Sequence, residues 1–299
     1  MEWQKRGVLV PTPLSAPWSI SHAALPIVRE THQGVEIFFS TRDAAGHSHV
    51  ARASFNSHLT GEPHLEASAL LNPGALGAFD DAGVTTGCLV DSEDVLFLYY
   101  SGWTRGLSVP FYFFIGCATS EDGGRTFTRV SPSPILERTE VDPYLTASPW
   151  ILVEHGLWRM WYVSGIGWDL HNGTPRHRYH IKYAESQDGL VWQRGGHVCI
   201  ALRNDEYAIG RPCVIRDETG YRMWYSYRGD AYRIGYAESV DGLEWERKDD
   251  EAGIRPSEQG WDSEMIEYPC VFEHGAEWYM LYNGNGYGAT GIGLAVRAP

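Results

Sequence analysis

The chain has 299 residues, a formal net charge of −14 and 43% apolar residues, including 12 tryptophans. This acidic balance argues against nucleic-acid or anionic-membrane partners, because both are recognised through basic surface. The sequence shows no basic start followed by an apolar stretch and no run of about 18 apolar residues, so we expect neither a signal peptide nor a membrane-spanning helix.

In chain order, the first predicted strand resembles the end of a repeat and the last resembles its beginning. Residues 2–10 are similar to residues 191–198, which end a repeat, whereas residues 292–296 are similar to the start of one. We therefore expect the N-terminal strand to supply the outer strand of the last repeat. Closing a ring in this way removes an exposed sheet edge.

Between the two ends, the sequence repeats at a period of about 50 residues. Residues 181–194 and 234–247 both read Ile-x-Tyr-Ala-Glu-Ser-x-Asp-Gly-Leu-x-Trp-x-Arg, and residues 115–129 are a looser copy. Each copy predicts two strands joined at Asp-Gly, since these residues tolerate the positive φ angles of hairpin turns. Repetition at this period is typical of β-propellers and solenoids.

The copies predict an all-β, five-bladed β-propeller that forms a single domain over residues 1–299. The inner strands are predicted at 23–29, 84–90, 146–153, 209–216 and 266–273, and the second strands at 35–40, 95–101, 158–164, 221–227 and 277–283. The second strands are rich in aromatic and β-branched residues. No sustained apolar stripe of helical period is present, so we expect few helices.

Cysteine and histidine patterns favour a reduced protein without a metal centre. The five cysteines form no Cys-x-x-Cys pair and lie in apolar settings, so we interpret them as small buried hydrophobic residues of a cytoplasmic protein. His171, His177 and His180 lie near Asp169 at a spacing that suits a metal, but such clusters without cysteine usually hold none. We therefore predict no metal and no cofactor.

Candidate functional residues come from aligning the inner strands on Pro26, Gly87, Pro149, Pro212 and Pro269. Seven residues earlier, four of the five repeats carry an aspartate: Asp80, Asp142, Asp205 and Asp262. One interpretation is structural, with each aspartate capping backbone N–H groups of a loop. The other places these carboxylates at the mouth of a central channel, where the ligands of propellers usually bind.

Residues that differ between repeats are predicted at the same channel mouth. Those near the inner strands are His22, Asp81, Glu206, Arg211, Glu264 and Glu267, and those that end or follow the second strands are Arg42, Asp43, Trp103, Trp168, Tyr227, Arg228 and Asn285. Aromatic rings stack on the C–H faces of sugars, and arginine, amide and carboxylate groups fix hydroxyls or anions. The pattern predicts a site for a polyhydroxylated or anionic small molecule.

These features resemble the five-bladed propeller glycosidases of glycoside hydrolase families 32, 43, 68 and 130. The resemblance rests on the five blades, the Ser-x-Asp-Gly-x-x-Trp hairpins and the second-strand endings at residues 39–43 and 161–164. Residues 120–127 also resemble the Asp box of sialidase-like propellers, a motif that shapes a hairpin and carries no chemistry.

The catalytic part of this resemblance is partial. Glu267-Tyr268-Pro269 resembles the Glu-x-Pro motif of the family's general acid, although that motif is normally not in the last blade. The family's two other carboxylates precede prolines in the first and third inner strands, where this chain has Leu25-Pro26 and Ser148-Pro149. A second catalytic carboxylate would then come from Asp80, Asp81, Asp262, Glu264 or Glu206.

Two functions stay open. The first is a carbohydrate-active enzyme that acts on a glycoside or on an activated or phosphorylated sugar, with Glu267 as the acid and Arg42 and Arg211 holding an anionic or hydroxyl-rich group. The second is a propeller that binds such a molecule without hydrolysis, or that catalyses another reaction through His22, Glu267 and Arg211. A protein–protein scaffold is weaker, because the unusual polar residues gather at one predicted channel mouth.

Overall fold

The computed structural model describes residues 2–14 and 16–297 and is all-β, as predicted. Among these residues the only helix is a 3₁₀ turn at Asp249–Glu251. The strands are β1 Gln4–Val10, β2 Ser21–Thr31, β3 Gly34–Arg42, β4 Ser48–Phe55, β5 His64–Leu65, β6 Gly83–Ser92, β7 Val95–Arg105, β8 Phe111–Ser120, β9 Thr128–Arg129, β10 Thr146–Glu154, β11 Leu157–His171, β12 Thr174–Ser186, β13 Trp192–Gln193, β14 Val198–Ile200, β15 Ala208–Asp217, β16 Gly220–Arg228, β17 Tyr232–Ser239, β18 Glu246–Arg247, β19 Glu267–His274, β20 Glu277–Asn283 and β21 Ile292–Arg297.

The strands form five antiparallel units. Unit 1 contains β2 to β5, unit 2 contains β6 to β9, unit 3 contains β10 to β14, unit 4 contains β15 to β18, and unit 5 contains β19 to β21 with β1. Single parallel bridges link unit 1 to unit 2 and unit 3 to unit 4. Each predicted inner or second strand lies within the first or second strand of a unit, except that β19 begins one residue later than predicted. The strands β7 and β11 continue four and seven residues beyond their predicted ends.

The N-terminal strand pairs with the last strand of the chain, which confirms that prediction. β1 runs antiparallel to β21, with Gln4 opposite Val296 and Val10 opposite Ile292. Just before β1, the buried indole of Trp3 donates a hydrogen bond to the Ala252 carbonyl at 3.0 Å. The first and last strands of the described chain are therefore neighbours in unit 5.

The first strands of the five units contact one another in chain order, and β19 in turn contacts β2. Each first strand contains an irregularity in its pairing just before the aligned proline or glycine. At this point a second-strand side chain accepts a hydrogen bond from a backbone N–H of the next unit. The pairs are Ser40 with Thr86 (2.9 Å), Ser101 with Ser148 (2.8 Å), Ser226 with Tyr268 (2.8 Å) and Asn283 with Leu25 (2.9 Å).

We call this series of hydrogen bonds the inter-unit relay. The Asn283–Leu25 bond runs from unit 5 back to unit 1. In unit 3 the equivalent second-strand residue is Val163, which lies opposite Ala147 as Ser226 lies opposite Gly210. Because a valine side chain has no acceptor, the relay lacks its side-chain bond from unit 3 to unit 4.

The Asp-Gly hairpins have the predicted structural role. In all three copies a serine and an aspartate cap the turn, and the Asp122, Asp188 and Asp241 carboxylates each accept two backbone N–H groups. The indoles of Trp192 and Trp245 donate to the glycine carbonyls of their own turns at 3.0 Å. These hydrogen bonds show that the repeated motif stabilises a hairpin turn.

The five cysteines are buried, as predicted, and none of them is in a disulfide. Cys88, Cys213 and Cys270 lie in first strands, and Cys117 and Cys199 lie in β8 and β14. The cytoplasmic location inferred from them stays a prediction. Among residues 2–14 and 16–297, no helix is long and apolar enough to cross a membrane.

Candidate active site

A cavity of about 410 Å³ lies where the first strands meet, and all five units contribute to its lining. This volume is in the range of small-molecule pockets, about 300–1,000 Å³. A smaller chamber of about 40 Å³ shares the lining residues Leu25, Arg42, Thr85, Tyr268 and Tyr287 with it.

Residues with unusual backbone geometry surround this cavity. In four units the residue directly before the aligned proline has a left-handed backbone and lines the cavity: Leu25 (φ 56°), Ser148 (φ 46°), Arg211 (φ 56°) and Tyr268 (φ 55°). Non-glycine residues rarely adopt this region, and such strain gathers at functional sites. The pairing irregularities of the first strands thus present side chains to the cavity.

Glu267 occupies the position just before this strained residue in unit 5. Its equivalents Thr85, Ala147 and Gly210 line the cavity, and Ala24 lines the small chamber. Glu267 itself is fully buried, and neither carboxylate oxygen has a hydrogen-bond partner.

The surroundings of Glu267 favour its protonated form. Burial raises the pKa of Glu267 well above its ordinary value, more than the nearby charge of Arg228 and the side chain of Tyr268 lower it. A neutral carboxyl group at this place is suited to donate a proton.

Other polar groups around the cavity also lack partners. The His177 Nε2 and the Nε atoms of Arg211 and Arg228 are buried without a hydrogen bond. Burial and the charges of Arg228 and Arg176 lower the pKa of His177 to about 4, so its ring is neutral at pH 7. Buried polar groups in native proteins nearly always have partners, so these atoms are available to a ligand or to ordered water in the cavity.

The charged residues that line the cavity are all arginines: Arg42, Arg211 and Arg228. Arg228 donates a hydrogen bond to the Tyr287 hydroxyl. The guanidinium of Arg211 is fully buried and donates to the carbonyls of Leu25 (3.3 Å), Pro26 (2.8 Å), Thr86 (3.1 Å) and Gly87 (2.7 Å). Arg211 therefore holds units 1 and 2 to unit 4, and Arg42 and Arg228 are the cations available to an anionic ligand.

His22 lies in the small chamber beside Arg42. Its Nδ1 is 3.0 Å from the Ser21 hydroxyl, and burial together with the charge of Arg42 lowers its pKa to about 4. The ring is therefore neutral at pH 7. It can accept a proton or a hydrogen bond there, but it cannot act as a general acid in the resting state.

The aspartates predicted as partners of Glu267 lie elsewhere. Asp80 accepts hydrogen bonds from Tyr100 (3.0 Å) and Arg129 (2.8 Å), and Asp262 accepts them from Tyr282 (3.0 Å) and Lys5 (2.6 Å). Asp142 repeats the arrangement with Tyr162, Arg194 and Lys182.

The three aspartates therefore form buried networks outside the cavity lining, and their partners are side chains rather than the backbone N–H groups that the structural interpretation expected. Asp81 caps the Gly77 N–H at 3.0 Å, Glu206 pairs with Arg247 at 2.7 Å, and Glu264 is exposed. Of the predicted carboxylates, Glu267 alone is buried among cavity-lining residues: it precedes Tyr268 and its charge acts on Tyr179 and Tyr232, although Glu267 itself is not part of the lining.

The remaining predicted residues mostly support loops. Asp43 accepts backbone N–H groups of Ala45 and His47, and the Asn285 side chain accepts those of Glu264 and Met265. The other contacts are Trp103 to the Ser48 hydroxyl (2.8 Å), Tyr227 to the guanidinium of Arg247 (5.8 Å) and Trp168 to Phe111 (5.2 Å between ring centroids).

Several lining residues were missed in the sequence. They include Phe111, Phe113, Tyr179, Tyr232, Tyr268 and Tyr287. Tyr268 had a signal, since it directly precedes an aligned proline.

His177 stacks on Tyr179 at 4.7 Å, and no group of metal-binding side chains exists among residues 2–14 and 16–297.

Comparison with known proteins gives close relatives of unknown function and more distant structures of known class. No protein-family model matches the chain. The uncharacterized proteins Rv1502 of Mycobacterium tuberculosis strain ATCC 25618 / H37Rv and MT1551 of strain CDC 1551 / Oshkosh are each 42% identical to it over 299 residues, which is 99% of this chain and 99% of each relative.

Among solved structures, the chain is similar to a glycoside hydrolase (TM-score 0.79, 17% identity, 99% of this chain and 92% of that chain). It is also similar to a putative glycoside hydrolase from Bacteroides ovatus ATCC 8483 (0.76, 16%, 99% and 96%). A third is the β-1,2-mannobiose phosphorylase from Listeria innocua in complex with β-1,2-mannobiose (0.72, 13%, 97% and 94%). At these identities the likeness shows a shared fold, which confirms the predicted resemblance to propeller glycosidases at that level.

Proposed function

The chain belongs to the family of the Mycobacterium tuberculosis proteins Rv1502 and MT1551, and we propose that it is a carbohydrate-active enzyme with Glu267 as its proton donor. We further propose that the five units are the blades of a single-domain, five-bladed propeller. The contacts between successive first strands and the bond from Asn283 back to Leu25 support this arrangement.

The observation that carries the proposed reaction is a buried, unpartnered Glu267 beside a cavity whose charged lining is arginine. Glycoside hydrolysis in its usual form uses two carboxylates, about 5–5.5 Å or 6.5–9.5 Å apart, one of which activates water or attacks the sugar. None of the predicted candidates for the second carboxylate lines the cavity: four are engaged elsewhere, and Glu264 is exposed. A phosphate anion needs no such base, because it is already a nucleophile, and Arg42 and Arg228 carry the charges that would hold it.

The reaction that fits these groups is cleavage of a glycoside by phosphate. A phosphate oxygen bonds to the anomeric carbon, the glycosidic C–O bond breaks, and the Glu267 proton passes to the departing oxygen. The products are a sugar phosphate and the free aglycone, and the reverse reaction consumes a phosphorylated sugar. The β-1,2-mannobiose phosphorylase of the same fold supports this class of chemistry.

The alternative is a protein that binds a sugar phosphate or another anion without breaking it. One observation favours this alternative. Arg211 is engaged by backbone carbonyls and the His22 ring is neutral, so neither residue supplies a proton to a reaction. The two functions differ in whether Glu267 is needed for turnover or only shapes the cavity.

The test is an assay of disaccharides of mannose, glucose and galactose with and without inorganic phosphate, monitored by the sugar phosphate formed. We expect phosphate-dependent turnover that falls by on the order of 10²–10⁴ in Glu267→Gln, because the amide keeps the shape and cannot donate the proton. Turnover that is equal without phosphate would contradict phosphorolysis. Binding of sugar phosphates with no turnover of any disaccharide would favour the alternative.

A further inference from the structure

One wall of the cavity is apolar and separate from the cores that join the units. Leu145, Ala147 and Val163 form a hydrophobic cluster of their own, against which Phe111 and Phe113 pack. The two phenylalanine rings lie 4.9 Å apart, and all five residues line the cavity. None of these side chains can donate or accept a hydrogen bond, so we call this surface the apolar wall.

The apolar wall comes from units 2 and 3, whereas the cationic lining comes from units 1 and 4. Arg42 ends β3 of unit 1, and Arg228 ends β16 of unit 4. Glu267 belongs to unit 5. The cavity lining is therefore mixed: units 1 and 4 contribute the arginines, and units 2 and 3 contribute the apolar wall together with the polar residues Thr85, Ser101, Ser148, His177 and Tyr179.

Val163 shows that the apolar wall departs from the requirements of the repeat. The equivalent residues Ser40, Ser101, Ser226 and Asn283 each accept a hydrogen bond in the inter-unit relay. Val163 gives up that bond at a position that lines the cavity. At this one position the repeat therefore has hydrocarbon, packed with Leu145 and Ala147, where the other units have a hydrogen-bond acceptor.

We propose that the apolar wall binds an apolar aglycone, an aryl or alkyl group, in the place where a second sugar would otherwise lie. This inference rests on the proposed function, because it concerns the leaving group of that reaction. If the wall held only the two phenylalanine rings, it would also suit the C–H surface of a sugar. Leu145, Ala147 and Val163, however, offer no hydrogen-bond partner to the hydroxyls of a second sugar that lies against them.

The experiment measures binding to Glu267→Gln by calorimetry, so that turnover does not interfere. Methyl, phenyl and hexyl glycosides of mannose, glucose and galactose are compared with disaccharides of the same sugar. We expect Kd for the phenyl or hexyl glycoside to be at least tenfold lower than for the methyl glycoside, and the disaccharide to bind no more tightly than the methyl glycoside.

The matched variant is Val163→Ser, which restores the residue type of the other units. It should melt near the parent temperature and lose most of the phenyl-to-methyl preference. Val153→Ser is the control, since Val153 is 43% exposed and does not line the cavity. If Val163→Ser fails to fold, Ala147→Ser adds a single hydroxyl to the same wall and should reduce the preference in the same direction.

A phenyl-to-methyl ratio near one, a disaccharide that binds most tightly, or an unchanged preference in the serine variants would overturn the inference. If no glycoside binds, the same calorimetry is done with methyl, phenyl and hexyl phosphate, whose phosphate group can bind to Arg42 and Arg228. The phenyl-to-methyl ratio of Kd then tests the inference in the same way. A phenyl preference in a protein without phosphate-dependent turnover would refute the proposed function and leave the aglycone inference standing.

Discussion

Carboxylates are buried both in the loops that lead into the first strands and beside the cavity between those strands, but they differ in their hydrogen-bond partners. Asp80, Asp142 and Asp262 are each at most 1% exposed, and each accepts a hydrogen bond from a tyrosine 20 residues later and from an arginine or lysine. Glu267 is equally buried and has no hydrogen-bond partner.

This contrast separates scaffold from site. A buried carboxylate with a cation and a hydroxyl donor stays ionised and ties together segments distant in the chain. A buried carboxylate without them is driven towards its neutral form, which stores a proton. The repeat makes the difference visible, because three units share the first arrangement and one position in unit 5 has the second.

The largest expected effect on stability is at a paired aspartate. Asp142→Asn removes the charge that balances Arg194 and Lys182, whose side chains are 11% and 9% exposed. Breaking a buried ion pair by neutralising one partner costs about 3–5 kcal/mol, so urea unfolding should show a loss of this order. Glu267→Gln is the same chemical change at the unpaired position and should cost nothing. Equal losses in both variants would remove the distinction.

A smaller effect is expected at Asp262, where the cation can be removed and the tyrosine kept. Lys5→Met deletes the 2.6 Å contact from Lys5 to Asp262 but leaves the Tyr282 hydroxyl 3.0 Å away. Hydrogen bonds to charged groups contribute about 1.5–3 kcal/mol, and Lys5 is partly exposed, so the loss should lie at the lower end. An unchanged unfolding midpoint would show that the tyrosine alone suffices.

The smallest effect is expected at His22, whose pKa is lowered to about 4 by burial and by Arg42. The unfolded chain binds a proton at its ordinary pKa of 6.5, and the folded protein binds it only near pH 4. Stability contributed by the neutral ring is therefore present above pH 6.5 and lost as the pH falls to about 4. His22→Asn should flatten this part of the pH–stability curve, measured by urea unfolding. The same slope in both proteins would contradict it.

The scaffold was readable in the sequence because its signals are local. Asp-Gly turns, strand composition and the repeat placed all the first and second strands, although β7 and β11 extend beyond their predicted ends. The paired aspartates were seen but not resolved, because their partners lie far along the chain. Arg129 is 49 residues from Asp80, and Lys5 is 257 residues from Asp262.

Only part of the candidate site could be predicted from the sequence. Glu267 stood out as the one large, charged residue among small equivalents, and this comparison of repeat positions led to the cavity. The same comparison applied to the second strands would have singled out Val163 among Ser40, Ser101, Ser226 and Asn283. The aromatic lining on β8 and β12 gave no repeat signal, because those ends of the hairpins differ from unit to unit.

The account depends most on Glu267 being unpaired and neutral, and the pH dependence of its contribution to stability tests this directly. The measurement is the free energy of unfolding in urea of the wild type and of Glu267→Gln between pH 4 and pH 8. Below the ordinary pKa of 4.5, both the folded and the unfolded wild type hold the proton. Above it, the unfolded chain releases the proton and the folded protein keeps it, so the wild type should lose stability with rising pH relative to the variant. A difference between the two proteins that stays constant from pH 4 to pH 8, or that favours the wild type at high pH, would mean that Glu267 is an ordinary paired carboxylate.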